Sequence, residues 1–407
     1  MSEGVVIVGS GQGGFQLAAS LREVGFNGPI TLIGEEPGLP YQRPPLSKAF
    51  LKGEADAEHL ELRPASFFAE HRIELAAGVR VAAIDRAARR VKLGSGASLA
   101  YGHLVLATGA RNRPLAVPGA ELEGVFYLRT LADAVALRAR LSTPSRVVVV
   151  GAGFIGLEFA AVARALGHEV TVLEFAARPL GRAVSAEMSA FFFAAHRAMG
   201  TDVRCGAGVA RLHGAQGRVD AVETADGTVF PADLVVVGVG VVPNVELAVE
   251  ADLPVANGIA VDEFLATPDE AISALGDAAS YPSRHAGTTV RLESVQNAAD
   301  HGRALAARLV GRPVPYAAVP WFWSDQADLK LQMVGLAMPD DRAVLRGDPA
   351  SRRFSVFRFH ERRLTAIESV NRPADHMLGR RLLAGAPRLT PEEAADESFD
   401  LKGLLTR

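Results

Sequence analysis

Cysteine occurs once in this sequence, at position 205. A disulfide oxidoreductase needs two thiols within reach of each other, and a structural zinc centre needs several Cys or His ligands. Neither can be built within one such chain, and Cys205 reads as a small buried apolar residue. Long hydrophobic runs are also missing: no apolar stretch approaches the ~20 residues of a membrane-spanning helix. Met1-Ser2-Glu3 leads directly into a predicted strand and leaves no room for a secretory signal, so a cytoplasmic location is expected. Excess charge of one sign is small, with 43 basic against 46 acidic residues and a net charge of −3. That balance argues against a general nucleic-acid binder, whose affinity needs a strongly basic surface. The ten histidines form no convincing catalytic constellation with acids and read as scattered surface and core residues. What remains is a chain 49% apolar and 22% charged, as in a soluble globular protein. Its 407 residues exceed one ordinary core and point to two or three domains.

Two stretches read almost alike. The first is "GVVIVGSGQGGFQLAASLREVGFNGPITLIGE" (4–35) and the second is "RVVVVGAGFIGLEFAAVARALGHEVTVLE" (146–174). Each is a β-branched apolar run, a Gly-x-Gly-x-x-Gly turn, a helical pattern and a second apolar run ending in Glu. The first predicts a strand at 5–9, a helix at 14–25 and a strand at 30–34. The second predicts a strand at 146–150, a helix at 155–166 and a strand at 170–174. Such alternation implies parallel sheets with crossover helices, hence an α/β fold.

The repeat extends beyond these units. Between them, three short predicted strands lead to the apolar run Leu104–Ala107 and then Thr108-Gly109. After the second unit a similar pattern carries the hairpin signal Asp226-Gly227 and a buried strand, Leu234–Val237. Residues 293–310 predict a helix. From about 317 the texture becomes strand-like, with a hairpin around His360-Glu361-Arg362 and a helix at 373–384, which suggests a third, α+β domain.

In Gly9-Ser10-Gly11-Gln12-Gly13-Gly14, Gly9 permits the tight turn, Gly11 lets backbone approach a pyrophosphate, and Gly14 allows helix to pack on strand. The phosphates would sit on the helix N-terminus, whose free N–H groups and dipole favour anions. Glu35 is placed to accept hydrogen bonds from an adenosine ribose. The second fingerprint, Gly151-Ala152-Gly153-Phe154-Ile155-Gly156, ends its second strand at Glu174. A carboxylate there would pair with both ribose hydroxyls and repel a 2′-phosphate, selecting NADH over NADPH. Arg178, four residues on, pulls the other way. Two Rossmann-like modules in one chain have an economical explanation. One holds FAD permanently and the other receives a nicotinamide, whose C4 must come within ~3–3.5 Å of flavin N5.

The order of these motifs resembles the FAD-dependent, NADH-linked ferredoxin reductases that serve oxygenases, the putidaredoxin reductase, rhodocoxin reductase and dioxygenase ferredoxin reductase family. The resemblance runs nearly end to end. It carries the two fingerprints, "YQRPPLSK" (41–48), "LVLATGA" (104–110), "YLRT" (127–130), "GVGVVPN" (238–244), "GD" (276–277), "RLESVQNA" (291–298) and "PWFWSDQ" (320–326). It implies a glutathione reductase-like arrangement. FAD would be bound by 1–110 with 243–316, NAD by 111–242, and 317–407 would form the C-terminal α+β domain.

The resemblance also implies roles. Gly9, Gly11, Gly13, Gly14 and Glu35 would hold the FAD, with Arg43, Pro44 and Lys48 along its pyrophosphate and flavin. Lys48 would sit near flavin N5 paired with Glu158, a buried cation favouring the reduced flavin. Val81 would meet the adenine edge, and Thr108 and Gly109 would lie where the chain leaves the FAD module. Arg129 would reach back to FAD, Asp277 would bind the ribityl chain, and Val295 the pyrimidine edge. Trp323 would shield one face of the isoalloxazine, and Trp321 would lie near the partner's entrance. Gly151, Gly153, Ile155, Gly156, Glu174, Arg182 and Gly240 would form the NAD site. No metal site is implied.

The implied reaction takes hydride from NADH into FAD and passes electrons singly to a [2Fe–2S] ferredoxin feeding a cytochrome P450 or a ring-hydroxylating oxygenase. The protein would work as a monomer. Arg303 is a candidate for a locally basic ferredoxin-docking face. Tyr41–Phe50 contains no cysteine, unlike the glutathione-type reductases, NADH oxidases and peroxidases of related fold, so no protein sulfur relay is expected. Alternatives within the fold are a rubredoxin reductase, an NADH oxidase or a monodehydroascorbate reductase. Outside enzymology the alternative is an NADH-sensing interaction protein resembling apoptosis-inducing factor.

Overall fold

Val5-Val6-Ile7-Val8 offers no polar face to water, and all four residues are buried, as in a parallel strand covered on both sides. In the computed structural model, which describes residues 4–338, 340–385 and 388–405, this strand is the centre of a five-stranded parallel sheet. The order is Ile272–Ala274, His103–Leu106, Val5–Val8, Ile30–Gly34, Ile73–Ala77. Met1–Glu3 lie outside the described residues. The chain clusters into two compact units. One holds the chain up to Gln42, Leu60–Arg111 and Val242–Phe322. The other holds Arg43–His59, Asn112–Val241 and the chain from Trp323.

In the first unit, the helix Gln12–Glu23 begins two residues earlier than the sequence pattern predicts, because its first turn is drawn from the glycine loop itself. It packs on the helix Val295–Leu309 through two glycines. A Cβ on Gly13 would lie 2.5 Å from the Leu275 side chain, and one on Gly302 would lie 2.9 Å from the Leu17 amide. The three short strands before Leu104 form an antiparallel sheet of Val81–Asp85, Arg90–Leu93 and Ser98–Ala100. The apolar faces of these elements share one core around Ile7, Leu17, Leu32 and Leu106.

The second unit repeats the design. Its parallel sheet runs Asp202–Cys205, Glu169–Glu174, Arg146–Val150, Leu234–Val237, Val125–Tyr127, with the helix Phe154–Ala165 following the central strand. Asp226-Gly227 turns the chain between antiparallel strands, and the Asp226 carboxylate accepts from the Thr228 amide at 3.1 Å. The C-terminal sheet has the order Trp321–Gln326, Leu329–Gly335, Arg363–Val370, Phe354–His360, Arg342–Arg346. Its hairpin turns at Glu361, in the left-handed region at φ 53°. The helix Pro373–Gly385 lies on it at Gly379, where a Cβ would be 2.8 Å from Ile367. The ion-paired carboxylate of Glu368 ties this sheet to the N-cap of the helix Ala186–Ala198. Arg358 lies 3.0 Å from Glu368, which also accepts from the amide and hydroxyl of Ser185. Burial pushes the Glu368 carboxyl up, against the pull of the Ser185 and Arg358 donors. Among the described residues no helix is long and apolar enough to cross a membrane. The structure is thus α/β with two parallel-sheet modules and a C-terminal α+β portion.

Candidate functional site

Each central strand ends in a glycine loop, and the two loops use their glycines in the same way. Gly9 turns the chain at φ 112°, and a Cβ on Gly14 would lie 1.9 Å from the Gly9 carbonyl oxygen. Gly151 turns at φ 102°, and a Cβ on Gly156 would lie 2.1 Å from the Gly151 oxygen. The protein's own packing therefore demands these four glycines. It does not demand the middle ones. A Cβ on Gly11 would meet nothing within 4 Å, and one on Gly153 only the Gly238 oxygen at 3.9 Å. Both middle glycines have extended backbone that any residue can adopt. The space a methyl group would fill is left open in front of a helix N-terminus.

Those N-termini also lack a side-chain cap. The helices beginning after Thr130, Ser185 and Ser294 are each capped by a side-chain oxygen, whereas those after Gly11 and Gly153 have none. Helix N-termini without a side-chain cap, beside open space at the carboxyl end of a parallel sheet, suit a pyrophosphate. The donor set thus fits a dinucleotide at both loops.

Around the first loop, Glu35 follows the strand Ile30–Gly34, exposed, with Arg80 at 3.7 Å. Val81 is buried at the start of its strand. Thr108 and Asn244 clasp each other's backbone. The Thr108 hydroxyl donates to the Asn244 carbonyl at 2.6 Å, and the Asn244 amide nitrogen to the Thr108 carbonyl at 2.9 Å. Gly109 accepts the Asn244 amide. Asp277 lies in the 3-10 turn Gly276–Ala278, and the first amide of that turn donates to His301 Nδ1 at 3.1 Å. His301 is wholly buried between Tyr281 and Tyr316, and burial pushes its imidazole down to about 3. It is therefore neutral, as an acceptor nitrogen must be. Val295 opens the helix capped by Ser294.

At the second loop, Glu174 accepts from the amides of Ala152, at 2.7 Å, and Ala176, at 2.8 Å. Its carboxylate is thereby fixed beside the glycines. Arg178 is committed elsewhere, donating to the carbonyls of Gly181, Val184 and Ser185 at 2.7–3.1 Å. Arg182 is exposed on the same loop, Ile155 is half-exposed in the first helical turn, and Gly240 turns at φ 100°. Cys205, half-buried at a strand end, has its thiol pushed up by burial and by Glu174, away from thiolate reactivity.

Lys48 and Glu158 meet in the second unit. Pro44–Ser47 forms a 3-10 turn that presents Lys48, and Glu158 points from the helix Phe154–Ala165. Lys48 Nζ lies 2.5 Å from Glu158 Oε2, with Pro44 O at 3.1 Å and Ser47 Oγ at 3.3 Å. Glu158 is only 2% exposed and Lys48 19%. The same carboxylate accepts from the Ser47 hydroxyl at 2.6 Å and the Ser324 hydroxyl at 2.7 Å. A buried carboxylate is tolerable only when so satisfied. Arg43 donates to the Arg129 carbonyl at 2.6 Å, and the Arg129 amide donates to Asp133, the acid of the capping box at Thr130. Trp323 lines a concavity of about 340 Å³ with Asp325, Lys330, Gln332, Asn371 and Pro373.

The first unit thus holds Gly9, Gly11, Gly13, Gly14, Glu35, Val81, Thr108, Gly109, Asp277 and Val295. The second holds Arg43, Pro44, Lys48, Arg129, Glu158 and Trp323 together with the residues of the second loop. Sequence reasoning missed Ser47, Ser324, Gln326, His196 and His301. The strand alternation in "WFWSDQ" was a usable signal, since it sets Ser324 and Gln326 on the face opposite Trp323, and both are fully buried. Arg303 is ion-paired to Asp300 at 2.7 Å on its own helix, so its charge is locally compensated.

The pyridine nucleotide-disulphide oxidoreductase family matches residues 3–302, and the reductase C-terminal family matches residues 321–405. Rhodocoxin reductase of Rhodococcus erythropolis is 55% identical over 99% of this chain and 94% of its own length. The ferredoxin reductase for the CYP199A2 system from Rhodopseudomonas palustris superposes with a TM-score of 0.97 at 52% identity, covering 99% of both chains. Putidaredoxin reductase, in its covalent complex with putidaredoxin, gives a TM-score of 0.97 at 42% identity over 100% of this chain and 98% of that one. The chain belongs to the pyridine nucleotide-disulphide oxidoreductase family and, within it, to the ferredoxin reductases of the rhodocoxin and putidaredoxin reductase type.

Proposed function

We propose that this protein carries electrons from NADH through tightly held, non-covalent FAD to a small [2Fe–2S] ferredoxin that supplies a cytochrome P450 or a ring-hydroxylating oxygenase. The observation that carries the reading is the pair of glycine loops, each with an open middle glycine before an uncapped helix. Flavin, when bound, accepts a hydride and releases electrons one at a time, which is what joins a two-electron donor to a one-electron carrier. The protein's part is to bind, orient and set charge.

In this reading the FAD-binding portion comprises 1–110 with 243–316, and the NAD-binding portion 111–242. The amides after Gly11 take the FAD pyrophosphate, Glu35 its ribose, and Asp277, Val295, Arg43 and Arg129 the rest of the molecule. Lys48 supplies a fixed positive charge to the flavin's reacting edge, and Trp323 covers one ring face. The amides after Gly153 take the pyrophosphate of NADH, and Glu174 takes its ribose. The commitment of Arg178 to three carbonyls supports NADH over NADPH, because that guanidinium has no call on a 2′-phosphate. The protein would act as a cytoplasmic monomer with a transient partner.

Stopped-flow mixing of the yellow protein with NADH and NADPH, followed by a [2Fe–2S] ferredoxin or a rubredoxin, tests this. Bleaching at least tenfold faster with NADH, then reoxidation by the ferredoxin, is expected. Equal rates with the two nucleotides, or reoxidation by rubredoxin alone, would overturn the corresponding part. The rubredoxin arm is included because rubredoxin-NAD(+) reductase of Pseudomonas putida is 38% identical over 91% of this chain and 96% of its own length.

A further inference from the structure

Glu158 has a second oxygen, and what lies behind it is a chain of buried polar groups unlike an ordinary core. Oε1 accepts the Ser324 hydroxyl at 2.7 Å. Ser324 Oγ in turn accepts from Gln326 Nε2 at 3.2 Å, and Gln326 Oε1 faces His196 Nε2 at 2.8 Å. All four residues are at most 2% exposed. Ser324 and Gln326 lie on one face of the strand Trp321–Gln326, and His196 is in the last turn of the helix Ala186–Ala198.

The chemistry fixes the direction. An ion-paired carboxylate can only accept, so the single Ser324 proton points at Glu158. Gln326 must then donate its amide proton to Ser324 and present its oxygen to His196, whose Nε2 carries the ring proton. His196 Nδ1 has no partner and is sealed from water, and burial lowers the imidazole's proton affinity. The ring is held neutral, in one tautomer. Every hydrogen bond therefore runs the same way, from His196 through Gln326 and Ser324 to the carboxylate, and aligned donors polarise one another.

We propose that Ser324, Gln326 and His196 are positioning residues, a one-way chain that partly neutralises Glu158 and so leaves Lys48 with more of its positive field. The proposal rests on the reading that Lys48 adjoins the flavin. Without the Ser324 donor, the Glu158 charge would cancel more of the Lys48 field, and the reduced flavin would be less favoured.

The test uses the FAD-loaded protein and reads the flavin's redox equilibrium rather than turnover. Ser324→Ala should lower the ratio of reduced to oxidised flavin about tenfold at a fixed solution potential, which is about 30 mV for a two-electron couple. Lys48→Met should lower it further. Ser324→Ala added to Lys48→Met should have little further effect, because the chain acts through the lysine. A merely structural defect would not vanish in that background. Nitrogen-15 NMR of histidine-labelled wild type should show His196 protonated on Nε2 at pH 7.5, with its titration displaced below that of a free imidazole. If Ser324→Ala does not fold, Gln326→Leu cuts the same chain one bond further back and is read in the same way.

A shift with Lys48→Met but none with the chain variants would overturn the proposal and leave the flavin reading of Lys48 standing. No shift with Lys48→Met would overturn both. A proton on His196 Nδ1 would reverse the chain and overturn the proposal by itself.

Discussion

Only five of the 43 cationic residues are lysine, so the lysine at 48 stands out against an arginine background. An ammonium is a compact charge with three donors, and Pro44 O, Ser47 Oγ and Glu158 Oε2 surround Nζ within 3.3 Å. A planar guanidinium cannot match three acceptors set around one point. Lys48→Arg is therefore expected to slow flavin reduction by NADH about tenfold or more despite keeping the charge, measured by single-turnover bleaching. A rate within twofold of wild type would show that charge alone suffices. His301 makes a different prediction. Its imidazole is pushed from 6.5 to about 3 by burial, so the unfolded chain binds a proton that the folded chain refuses. Its contribution is full above pH 6.5 and is lost as the pH falls toward 3, by about 1.4 kcal/mol per pH unit. The drop in melting temperature from pH 7 to pH 5 should be smaller in His301→Gln, which keeps an acceptor for the Gly276 amide but cannot titrate. An equal drop would mean that His301 is not what acid attacks.

At the scale of elements, the two glycine loops separate what folding needs from what a ligand needs. Gly14→Ala would force a methyl group to 1.9 Å from the Gly9 oxygen, with backbone on both sides of the clash. It should destabilise the protein by about 3 kcal/mol or more. Gly11→Ala fits both the backbone conformation and the space. The apoprotein should keep its melting temperature and lose FAD affinity on the order of 100-fold, by flavin fluorescence titration. In the second loop, Gly153→Ala should leave FAD in place and raise the KM for NADH by a similar factor. If Gly11→Ala and Gly153→Ala bind both cofactors normally, the dinucleotide assignment of the loops fails.

This contrast also shows why so much was legible in the sequence. Strands such as Val5–Val8 and Arg146–Val150, and the turns that follow them, are dictated by local chemistry, and their boundaries moved by at most two residues. Ser324, Gln326 and His196 were not legible as a group, because hydrogen bonds spanning 130 and 166 residues leave no periodic trace. The family resemblance pointed to Glu158 and Lys48, but the donors that make a buried carboxylate tolerable come from the topology of the second unit.

At the scale of the whole molecule, the net charge of −3 sets a weak long-range field that would repel an acidic ferredoxin. Productive encounter with such a partner would therefore depend on local basic surface rather than on the total. Arg303 is a poor contributor to such a surface, since Asp300 neutralises it at 2.7 Å and Gln16 lies within 3.4 Å of the same guanidinium. Local attraction between exposed charges is screened over about 10 Å at 0.1 M salt and about 3 Å at 1 M. The kcat/KM for ferredoxin should accordingly fall severalfold between 0.05 and 0.5 M salt, as a rough expectation for steered association. Flavin reduction by NADH, which needs no protein partner, should change far less over the same range. Arg303→Ala should leave the salt dependence of ferredoxin reduction unaltered. Both rates measured across one salt series decide the matter. Parallel changes would mean that salt acts on the enzyme itself, and a flat ferredoxin rate would mean that docking is not steered by charge.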